Sequence, residues 1–364
     1  LLAYRFPEVW IFALLLVCEI IAIVAWTYIY AAIYQKLFPP RKILLVYGNE
    51  KSLSLVNKLK KRQDRYKVEL LVPVTAGGKK IVELAETFDG VMLADVPTPV
   101  RNYILKECFE RSIRVYMTPK ISDILVRSSR ELHTFDTPLL LARNNGLTPE
   151  QLFGKRCLDI VASSLMLLVA SPIMLLIALA VKIHDGGTVI YKQTRLTMGG
   201  RQFYVYKFRS MRMDAEKDGV ARLASEEDDR ITPVGKVIRM TRMDELPQLI
   251  NVLKGDMSLV GPRPERPEIA EEYETWLPQF KSRLKVKAGL TGYAQIYGKY
   301  NTTPYDKLKL DLTYIQNYSF LLDLKLLLLT AKILFMKEST EGIETAQDRY
   351  LSDGDDSVIW KDEN

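Results

Sequence analysis

Histidine and cysteine are scarce in this chain. Its 364 residues include two histidines, His133 and His184, and three cysteines, with no Cys-His or Ser-His pairing in sequence. The cysteines have no CxxC spacing and are odd in number, which argues against a disulfide framework and against a zinc site. Their scarcity fits a reducing, cytosolic face. Any catalysis is therefore expected from carboxylates, lysine and arginine.

Acidic residues are also fewer than basic ones in this chain. The formal net charge is +7, which suits anionic lipid headgroups, nucleotide phosphates or nucleic acid equally well. Charge alone therefore selects no partner, and the motifs described below favour lipid and nucleotide phosphates over nucleic acid.

A long apolar run occupies residues 9–33, with Glu19 as its one charged residue. The run is long enough to cross a bilayer. Because no charged segment or small-residue cleavage site precedes it, we predict a transmembrane helix and not a signal peptide. Lys36, Arg41 and Lys42 follow the run, which by the positive-inside tendency places the next part of the chain in the cytoplasm. A buried helix of a soluble protein is the alternative.

Glycine is deficient where a dinucleotide site would need it. Residues 43–47, 68–72, 90–94 and 113–117 read as strands with helices between them, which predicts a small parallel sheet and a Rossmann-like domain over residues 39–147. The turn after the first strand has Gly48 alone, whereas the G-x-G-x-x-G pattern uses three glycines to approach a pyrophosphate. A structural or regulatory role is favoured, with dinucleotide binding as the alternative.

A second apolar run, residues 160–183, contains the pair Ser171-Pro172. Proline removes a helical hydrogen bond and clashes with the preceding turn, so a sharp break is expected there. Basic residues flank the run on both sides, which favours a re-entrant helix with both ends in the cytoplasm over a simple span. The flanking cations are Lys155, Arg156, Lys182, Lys192 and Arg195.

The C-terminal part is amphipathic and then acidic. Residues 304–337 mix leucine with lysine and carry too many charges to span a membrane, so they predict helices lying on its surface. Lys307, Lys309, Lys325 and Lys332 would then face the headgroups, and an ordinary core helix is the alternative. Residues 339–364 predict a disordered acidic tail.

The strongest chemical signal is the pair Asp244-Glu245, placed before a short apolar segment. Pro247 suits a first helical turn and Gly255 a left-handed C-cap, so the carboxylates are expected at a helix N-terminus. Leu246, Leu249, Ile250 and Leu253 would form its apolar stripe. Two adjacent carboxylates there can hold Mg²⁺ with a diphosphate while one attacks phosphorus. The plainer alternative is that Asp244 only caps the helix.

Two basic clusters flank this pair. Lys207 and Arg209 lie upstream, and Arg263 lies downstream between Pro262 and Pro264. Such groups on a restricted backbone can clamp a diphosphate. Each cluster alone could be a solvated basic face, but the two together around an acidic pair indicate a phosphate-transfer site.

At this point the sequence resembles the monotopic phosphoglycosyl transferases, a bacterial sugar transferase family. The shared motifs are Phe153-Gly154-Lys155-Arg156, Tyr206-Lys207-Phe208-Arg209-Ser210-Met211, Asp244-Glu245-Leu246-Pro247-Gln248, Gly261-Pro262-Arg263-Pro264, Gly289-Leu290-Thr291-Gly292 and Leu322-Asp323-Leu324-Lys325. The resemblance implies a re-entrant membrane helix, an Asp-Glu dyad, Mg²⁺ and a polyprenyl phosphate acceptor. It also implies that large members carry further transmembrane helices upstream, so that residues 9–33 would be the last of these in a truncated chain.

Carried over by position, the resemblance makes Asp244 the nucleophile and Glu245 its partner, both near the metal. It assigns substrate contacts to Lys207, Arg209, Arg239, Arg263, Pro264, Lys299 and Asp323. Two motifs depart from the family pattern, and the usual glycine-rich turn before Lys207, here residues 196–201, is weakened. Ala288 replaces a usual proline, and Lys299 replaces a usual arginine, which keeps the charge but loses the bidentate fork.

We therefore predict an α/β membrane protein with a transmembrane helix and linker (1–38), a Rossmann-like domain (39–147), a mostly helical catalytic domain (148–338) and the acidic tail. It is expected to act in the bacterial inner membrane, facing the cytoplasm, and to move a sugar-1-phosphate from a UDP-sugar to polyprenyl phosphate. Membrane lipids are expected partners, nucleic acid is not, and a homodimer is left open. The alternatives are a non-catalytic membrane scaffold and a Rossmann-type oxidoreductase or epimerase. No segment indicates which sugar is transferred.

Overall fold

The computed structural model describes residues 9–49, 52, 54–60, 64–134, 136–142, 146–213, 215, 228, 230–298 and 302–334. Lys299 and the predicted acidic tail lie outside this part. The chain divides into two compact units, Leu1–Pro119 and Lys120–Asn364. Both units combine helices and strands, so the predicted mixed α/β class is confirmed at that level.

The first unit begins with the helix α1 (Val9–Leu37), whose apolar surface is exposed throughout. A four-stranded parallel sheet in the order β2-β1-β3-β4 follows, so the predicted alternation of strands and helices is confirmed. Its strands are β1 (Arg41–Tyr47), β2 (Tyr66–Pro73), β3 (Gly90–Ala94) and β4 (Val115–Met117), and its helices are α2 (Ser54–Lys60), α3 (Gly78–Ala85) and α4 (Thr98–Glu110).

The central strands β1 and β3 make the core of this sheet. Ile43, Leu44, Leu45 and Val46 are buried in succession on β1, and all of β3 is buried. Strands covered on both faces read as continuous apolar runs, which is why the sequence located them well. At the carboxyl end of the sheet the Asn49 amide donates to the Asp95 carboxylate at 2.9 Å.

The second unit holds the remaining elements. In chain order these are α5 (Ile121–Arg127), β5 (Arg130–Thr134), β6 (Thr137–Leu141), α6 (Pro149–Asp185), β7 (Ile190–Leu196), β8 (Gln202–Phe208), α7 (Pro233–Met240), α8 (Gln248–Lys254), β9 (Ser258–Val260), α9 (Pro267–Trp276), β10 (Gly289–Thr291), α10 (Tyr293–Tyr297), α11 (Pro304–Gln316) and α12 (Phe320–Leu334). β5–β6 and β7–β8 are antiparallel hairpins, whereas β9 and β10 pair in parallel.

The first unit ends at Pro119, earlier than the boundary at residue 147 that the sequence predicts. Ile124 of α5 is buried in the same core as Leu249, Leu259 and Leu312. Ser128, which follows α5, donates a hydrogen bond to the Gln316 side chain at 3.1 Å. Partners so far along the chain leave no local signal, which explains why the sequence did not reveal that this segment packs with the second unit.

The second apolar run forms one helix, and the sharp bend predicted at Ser171-Pro172 stays a prediction. α6 continues as a hydrogen-bonded helix through Pro172. Pro172 has no N–H for the carbonyl of Leu168, four residues earlier, but the Ser171 hydroxyl donates to that oxygen at 2.9 Å. A serine can thus replace the bond that proline removes, so the helix need not end.

One face of α6 packs against the unit along both halves of the helix. Lys155, Asp159 and Ser163 are buried in the first half, and Ile177 and Val181 in the second. The opposite face exposes Val161, Leu165, Leu168, Leu175 and Leu176. At 1.5 Å per residue a straight helix of this length would extend over about 55 Å. Together with α1, α6 is one of two helices in the described part of the chain that are long and apolar enough to cross a membrane.

The two C-terminal helices differ from each other. Leu308, Leu312 and Ile315 of α11 are buried, so this helix belongs to the core. The Lys307 ammonium pairs with Glu265 and that of Lys309 with Asp306. Both lysines are therefore engaged in ion pairs within the protein, and the expectation that they face headgroups is wrong. α12 instead exposes Leu321, Leu324 and Leu328 beside Lys325 and Lys332, as a surface helix would.

Candidate active site

The carboxylate pair lies in a turn between two short helices. α7 ends at Met240, Arg242 adopts a left-handed conformation with φ 58°, and Met243–Glu245 form a 3₁₀ turn before α8 begins. The pair thus lies about one turn before α8, near the helix N-terminus that the sequence predicts for it. Gly255 caps α8 with φ 92°, as predicted.

The buried face of α8 also differs from the predicted stripe. Leu249 is buried, but Leu253 is 38% exposed, and Gln248, Asn251 and Val252 are buried instead. Asn251 was missed because a fully buried amide does not register in a pattern of apolar residues. It holds α8 against β8: its Nδ2 donates to the Tyr204 carbonyl at 2.8 Å, and its Oδ1 accepts from the Tyr206 N–H at 3.0 Å.

The strand held by Asn251 continues into Lys207, whose ammonium meets the dyad. Lys207 Nζ lies 2.7 Å from Glu245 Oε1, and Arg263 Nη2 lies 3.3 Å from the same oxygen. Burial raises the pKa of Glu245, but the two cations outweigh it and hold that pKa well below its ordinary value. Glu245 is therefore a carboxylate that bridges the two basic clusters found in the sequence.

Asp244 is in a different state. Its residue is 9% exposed, and within the described part of the chain no hydrogen bond or ion pair engages its carboxylate. Burial raises its pKa, the Lys207 cation opposes that rise, the Glu245 charge adds to it, and Arg239 and Arg242 oppose it. Two adjacent carboxyls thus have pKa values moved in opposite directions, a division that often separates chemical roles.

The other predicted substrate contacts are distributed unevenly. Arg239 lies close enough to act electrostatically on Asp244, in keeping with a place at the site. The Arg209 guanidinium is buried and pairs with Asp185 at the end of α6. The Pro264 carbonyl accepts a hydrogen bond from Arg195 at 3.1 Å. Among these residues, Lys207 and Arg263 are therefore the ones that the structure brings into contact with the dyad.

Asp323 lies in a buried ion pair. Its carboxylate accepts from Lys155 Nζ at 2.6 Å and from the Tyr314 hydroxyl at 2.8 Å, and the residue is fully buried. This pair joins α6 to α12, which accounts for an acidic residue at this position without a substrate. A direct contact between Asp323 and a substrate stays a prediction.

Mg²⁺ binds oxygen ligands, so its fit to this site depends on the carboxylates that the site contains. Within the described residues no group of three or more His, Cys, Asp or Glu side chains could form a metal cage. Mg²⁺ is commonly held by one or two carboxylates together with substrate phosphates. Asp244 and Glu245 would fit that shared mode if a phosphate-bearing substrate supplied the other ligands.

The family follows from comparison with known proteins. The model of the bacterial sugar transferases matches residues 150–337, and this chain belongs to that family. The match includes the dyad turn, both basic clusters and the long helix α6.

Three curated relatives show how the family varies. The chain is 37% identical over 63% of its length to the UDP-N-acetylgalactosamine-undecaprenyl-phosphate N-acetylgalactosaminephosphotransferase of Aeromonas hydrophila, covering 54% of that protein. It is 38% identical over 62% of its length to the UDP-glucose:undecaprenyl-phosphate glucose-1-phosphate transferase of Escherichia coli K12, covering 50%. It is 44% identical over 51% of its length to the galactosyl transferase CpsE of Streptococcus agalactiae, covering 43%. The chain thus spans about half the length of these relatives, whose names specify three different sugars.

Proposed function

We propose that this chain transfers a sugar-1-phosphate from a UDP-sugar to undecaprenyl phosphate, releasing UMP and beginning the synthesis of an exopolysaccharide, capsule or O-antigen. Family membership and the activities named for its relatives support this reaction. Neither the scaffold nor the oxidoreductase alternative has support from the comparisons. The observation that carries the proposal is the buried Asp244 carboxylate. It lies next to Glu245, and Glu245 forms ion pairs with Lys207 and Arg263.

The reaction proceeds in two displacements. An Asp244 oxygen attacks the sugar-bearing phosphorus, the bond from that phosphorus to the bridging oxygen breaks, and UMP leaves with the bond electrons. An oxygen of the lipid phosphate then attacks the aspartyl phosphosugar, which gives the lipid diphosphate sugar and restores the Asp244 carboxylate. Because Asp244 is engaged by no other group among the described residues, it is free to act as the nucleophile.

Cationic side chains would assist both displacements. Lys207 and Arg263 meet at Glu245 and offer their remaining donors to the diphosphate. Mg²⁺ held by Asp244, Glu245 and the phosphates would neutralise the leaving UMP. Lys299 remains a proposed phosphate contact outside the described residues.

The membrane arrangement is also a proposal. Both halves of α6 pack against one globular unit, while the opposite face is apolar along its length. A helix that crossed the bilayer would draw part of that unit into the lipid, so a helix that rests in one leaflet accounts better for these contacts. The site would then face the cytoplasm at the inner membrane, where a soluble donor and a lipid acceptor meet.

Two of the cations that flank α6 are engaged within the protein. Lys155 is buried against Asp323, and Arg156 donates to the Val252 and Leu253 carbonyls at the end of α8. These cations serve the fold, so the packing of α6 supports the re-entrant arrangement more directly than its flanking charges do. A Rossmann-like regulatory domain in the first unit and a homodimer remain further parts of the proposal.

The test is the half-reaction without lipid. Purified chain with Mg²⁺ and a UDP-sugar should release about one equivalent of UMP per active site and then stop. Because the relatives use different sugars, UDP-glucose, UDP-galactose and UDP-N-acetylgalactosamine are tested separately. The peptide that contains Asp244 should gain the mass of one phosphosugar, and added undecaprenyl phosphate should discharge it.

Two other outcomes have distinct meanings. UMP release only when donor and lipid are both present, with no adduct after an acid quench, would favour direct transfer and leave Asp244 as a metal ligand. No UMP from any UDP-sugar with lipid present would contradict the proposed activity of this chain.

A further inference from the structure

The segment that carries Arg263 has no helix or strand of its own, yet its main chain is held at every carbonyl. Four consecutive carbonyl oxygens accept hydrogen bonds from four donors, which lie in three separate parts of the second unit. Pro262 accepts from Gly289 N at 2.8 Å, Arg263 from Arg283 Nη2 at 3.0 Å, Pro264 from Arg195 Nη1 at 3.1 Å and Glu265 from Leu196 N at 3.0 Å. Two of these donors are arginine side chains.

Arginine side chains donate to these carbonyls because the segment can form few main-chain hydrogen bonds of its own. Pro262 and Pro264 have no N–H groups, so a regular ladder cannot form through them. The Arg263 guanidinium is 43% exposed and touches Glu245 at 3.3 Å. A single contact by a long, half-exposed side chain fixes its position weakly, so the placement of Arg263 depends on its main chain.

Arg283 is the more firmly held of the two arginine donors. Its side chain is 3% exposed, and Nε and Nη2 lie 3.0 and 2.8 Å from Asp311 Oδ2. Nη1 reaches Glu265 Oε1 at 3.3 Å, and the guanidinium lies 4.8 Å from the centre of the Phe280 ring. Asp311 is itself buried on α11. The planar guanidinium therefore bonds to α11 on one side and to the Arg263 carbonyl on the other.

We propose that Arg283, oriented by Asp311, is a positioning residue that sets the main chain of Arg263 so that its guanidinium reaches Glu245 and the donor diphosphate. This inference rests on the proposed function for its effect on turnover. Its structural part concerns only the attachment of residues 262–265.

Arg283→Lys is the first variant, because lysine keeps a positive charge opposite the buried Asp311 while losing the fork that serves three acceptors. Misplacing a substrate-binding group by about 1 Å can cost on the order of 10²-fold, so we expect kcat/KM for UMP release to fall by roughly that factor. Arg201→Lys is the matched control: Arg201 is exposed, pairs with Asp256 at 3.1 Å and lies outside the site, so its activity should match that of the unaltered chain.

A double-mutant cycle with Arg263→Met separates positioning from general damage. If Arg283 acts through Arg263, Arg283→Lys should cost little further kcat/KM once Arg263 is methionine. A merely structural role would lower activity by the same factor in both backgrounds. Losses that multiply would overturn the proposal.

Amide hydrogen exchange gives a readout that needs no turnover. The N–H groups of Leu196 and Gly289 donate to this segment, so both should exchange faster in Arg283→Lys, while amides of β1 in the first unit should not change. Unchanged protection at Leu196 and Gly289 would also overturn the proposal. If the unaltered chain releases no UMP, the proposed function fails, and the exchange result still decides the positioning role.

Discussion

Asn251 accepts a hydrogen bond from the Tyr206 N–H at 3.0 Å, which ties the helix after the dyad to the strand that presents Lys207. Because Tyr206 directly precedes Lys207, this contact and the bond from Asn251 to the Tyr204 carbonyl set the register between the basic and acidic parts of the site. An uncharged, fully buried residue thus holds the strand from which Lys207 reaches Glu245.

Asn251→Leu should damage both stability and activity. The change leaves the Tyr204 carbonyl and the Tyr206 N–H without these partners, and each buried unpaired group costs about 1–3 kcal/mol. Thermal unfolding should occur at lower temperature, and UMP release should fall more than the folded fraction does because Lys207 is displaced. Asn317→Leu is the control, since Asn317 follows α11 and its exposed side chain donates to the Thr313 carbonyl in the last turn of that helix. Equal effects of the two changes would contradict a special role for Asn251.

Asp244→Asn should abolish transfer while the chain remains folded and in the membrane. Asparagine has nearly the same volume but cannot form the aspartyl phosphosugar, so UMP release should fall by roughly 10⁴-fold or more, as when catalytic nucleophiles are removed. The measurement is UMP release together with the mass of the peptide that contains residue 244. Activity near that of the unaltered chain would show that Asp244 is not the nucleophile.

The paired state of Glu245 predicts how stability depends on pH. The pKa of Glu245 in the folded chain is lower than its ordinary value of 4.5. The ionised carboxylate therefore stabilises the fold fully above pH 4.5, and this stabilisation is lost as the pH falls toward the lower pKa of the folded chain. Glu245→Gln removes this contribution. The difference in Tm between the two proteins should therefore be constant near neutral pH and shrink in acid. A difference that grows as the pH falls would contradict the ion pair with Lys207 and Arg263.

Activity should have its own acidic limit. Asp244 must be ionised to attack, and burial raises its pKa above 3.8. The value of kcat/KM for UMP release should therefore decline with falling pH as the Asp244 carboxylate becomes protonated. The profile is measured with saturating Mg²⁺, and Arg201→Lys should give the same curve. A kcat/KM that does not fall in acid while the chain stays folded would contradict the role of the Asp244 carboxylate as the nucleophile.

The membrane arrangement can be tested from outside the cell. Cysteines placed at Glu150, before the apolar part of α6, and at Lys192, after it, should both resist an impermeant thiol reagent in intact cells. Both positions are exposed on the protein, so each should react after lysis. The test uses a chain in which Cys18, Cys108 and Cys157 are replaced. Labelling of one position from the periplasm would show that α6 crosses the membrane.

The sequence predicted the structure well where neighbouring residues along the chain carry the signal. β1 and β3 are continuous apolar runs and were located from them, and the dyad with Lys207 and Arg263 was found from motif order. It failed where a polar residue has a distant partner. The ion pair of Asp323 with Lys155, 168 positions away, was not foreseen, while its contact with substrate stays a prediction. Arg283 and Asp311 were overlooked for the same reason, since neither lies in a motif and their ion pair exists only in the folded chain.

The bond from the Ser171 hydroxyl to the Leu168 carbonyl has a consequence for the evolution of α6. Serine matters at this position because the next residue is proline, so the effects of the two residues are epistatic. Loss of Pro172 would restore an N–H for that carbonyl and make the hydroxyl dispensable, whereas loss of Ser171 alone would leave the carbonyl unpaired within an apolar helix. Among sequences descended from this one, the proline can be lost first, and the serine is free to change only afterwards.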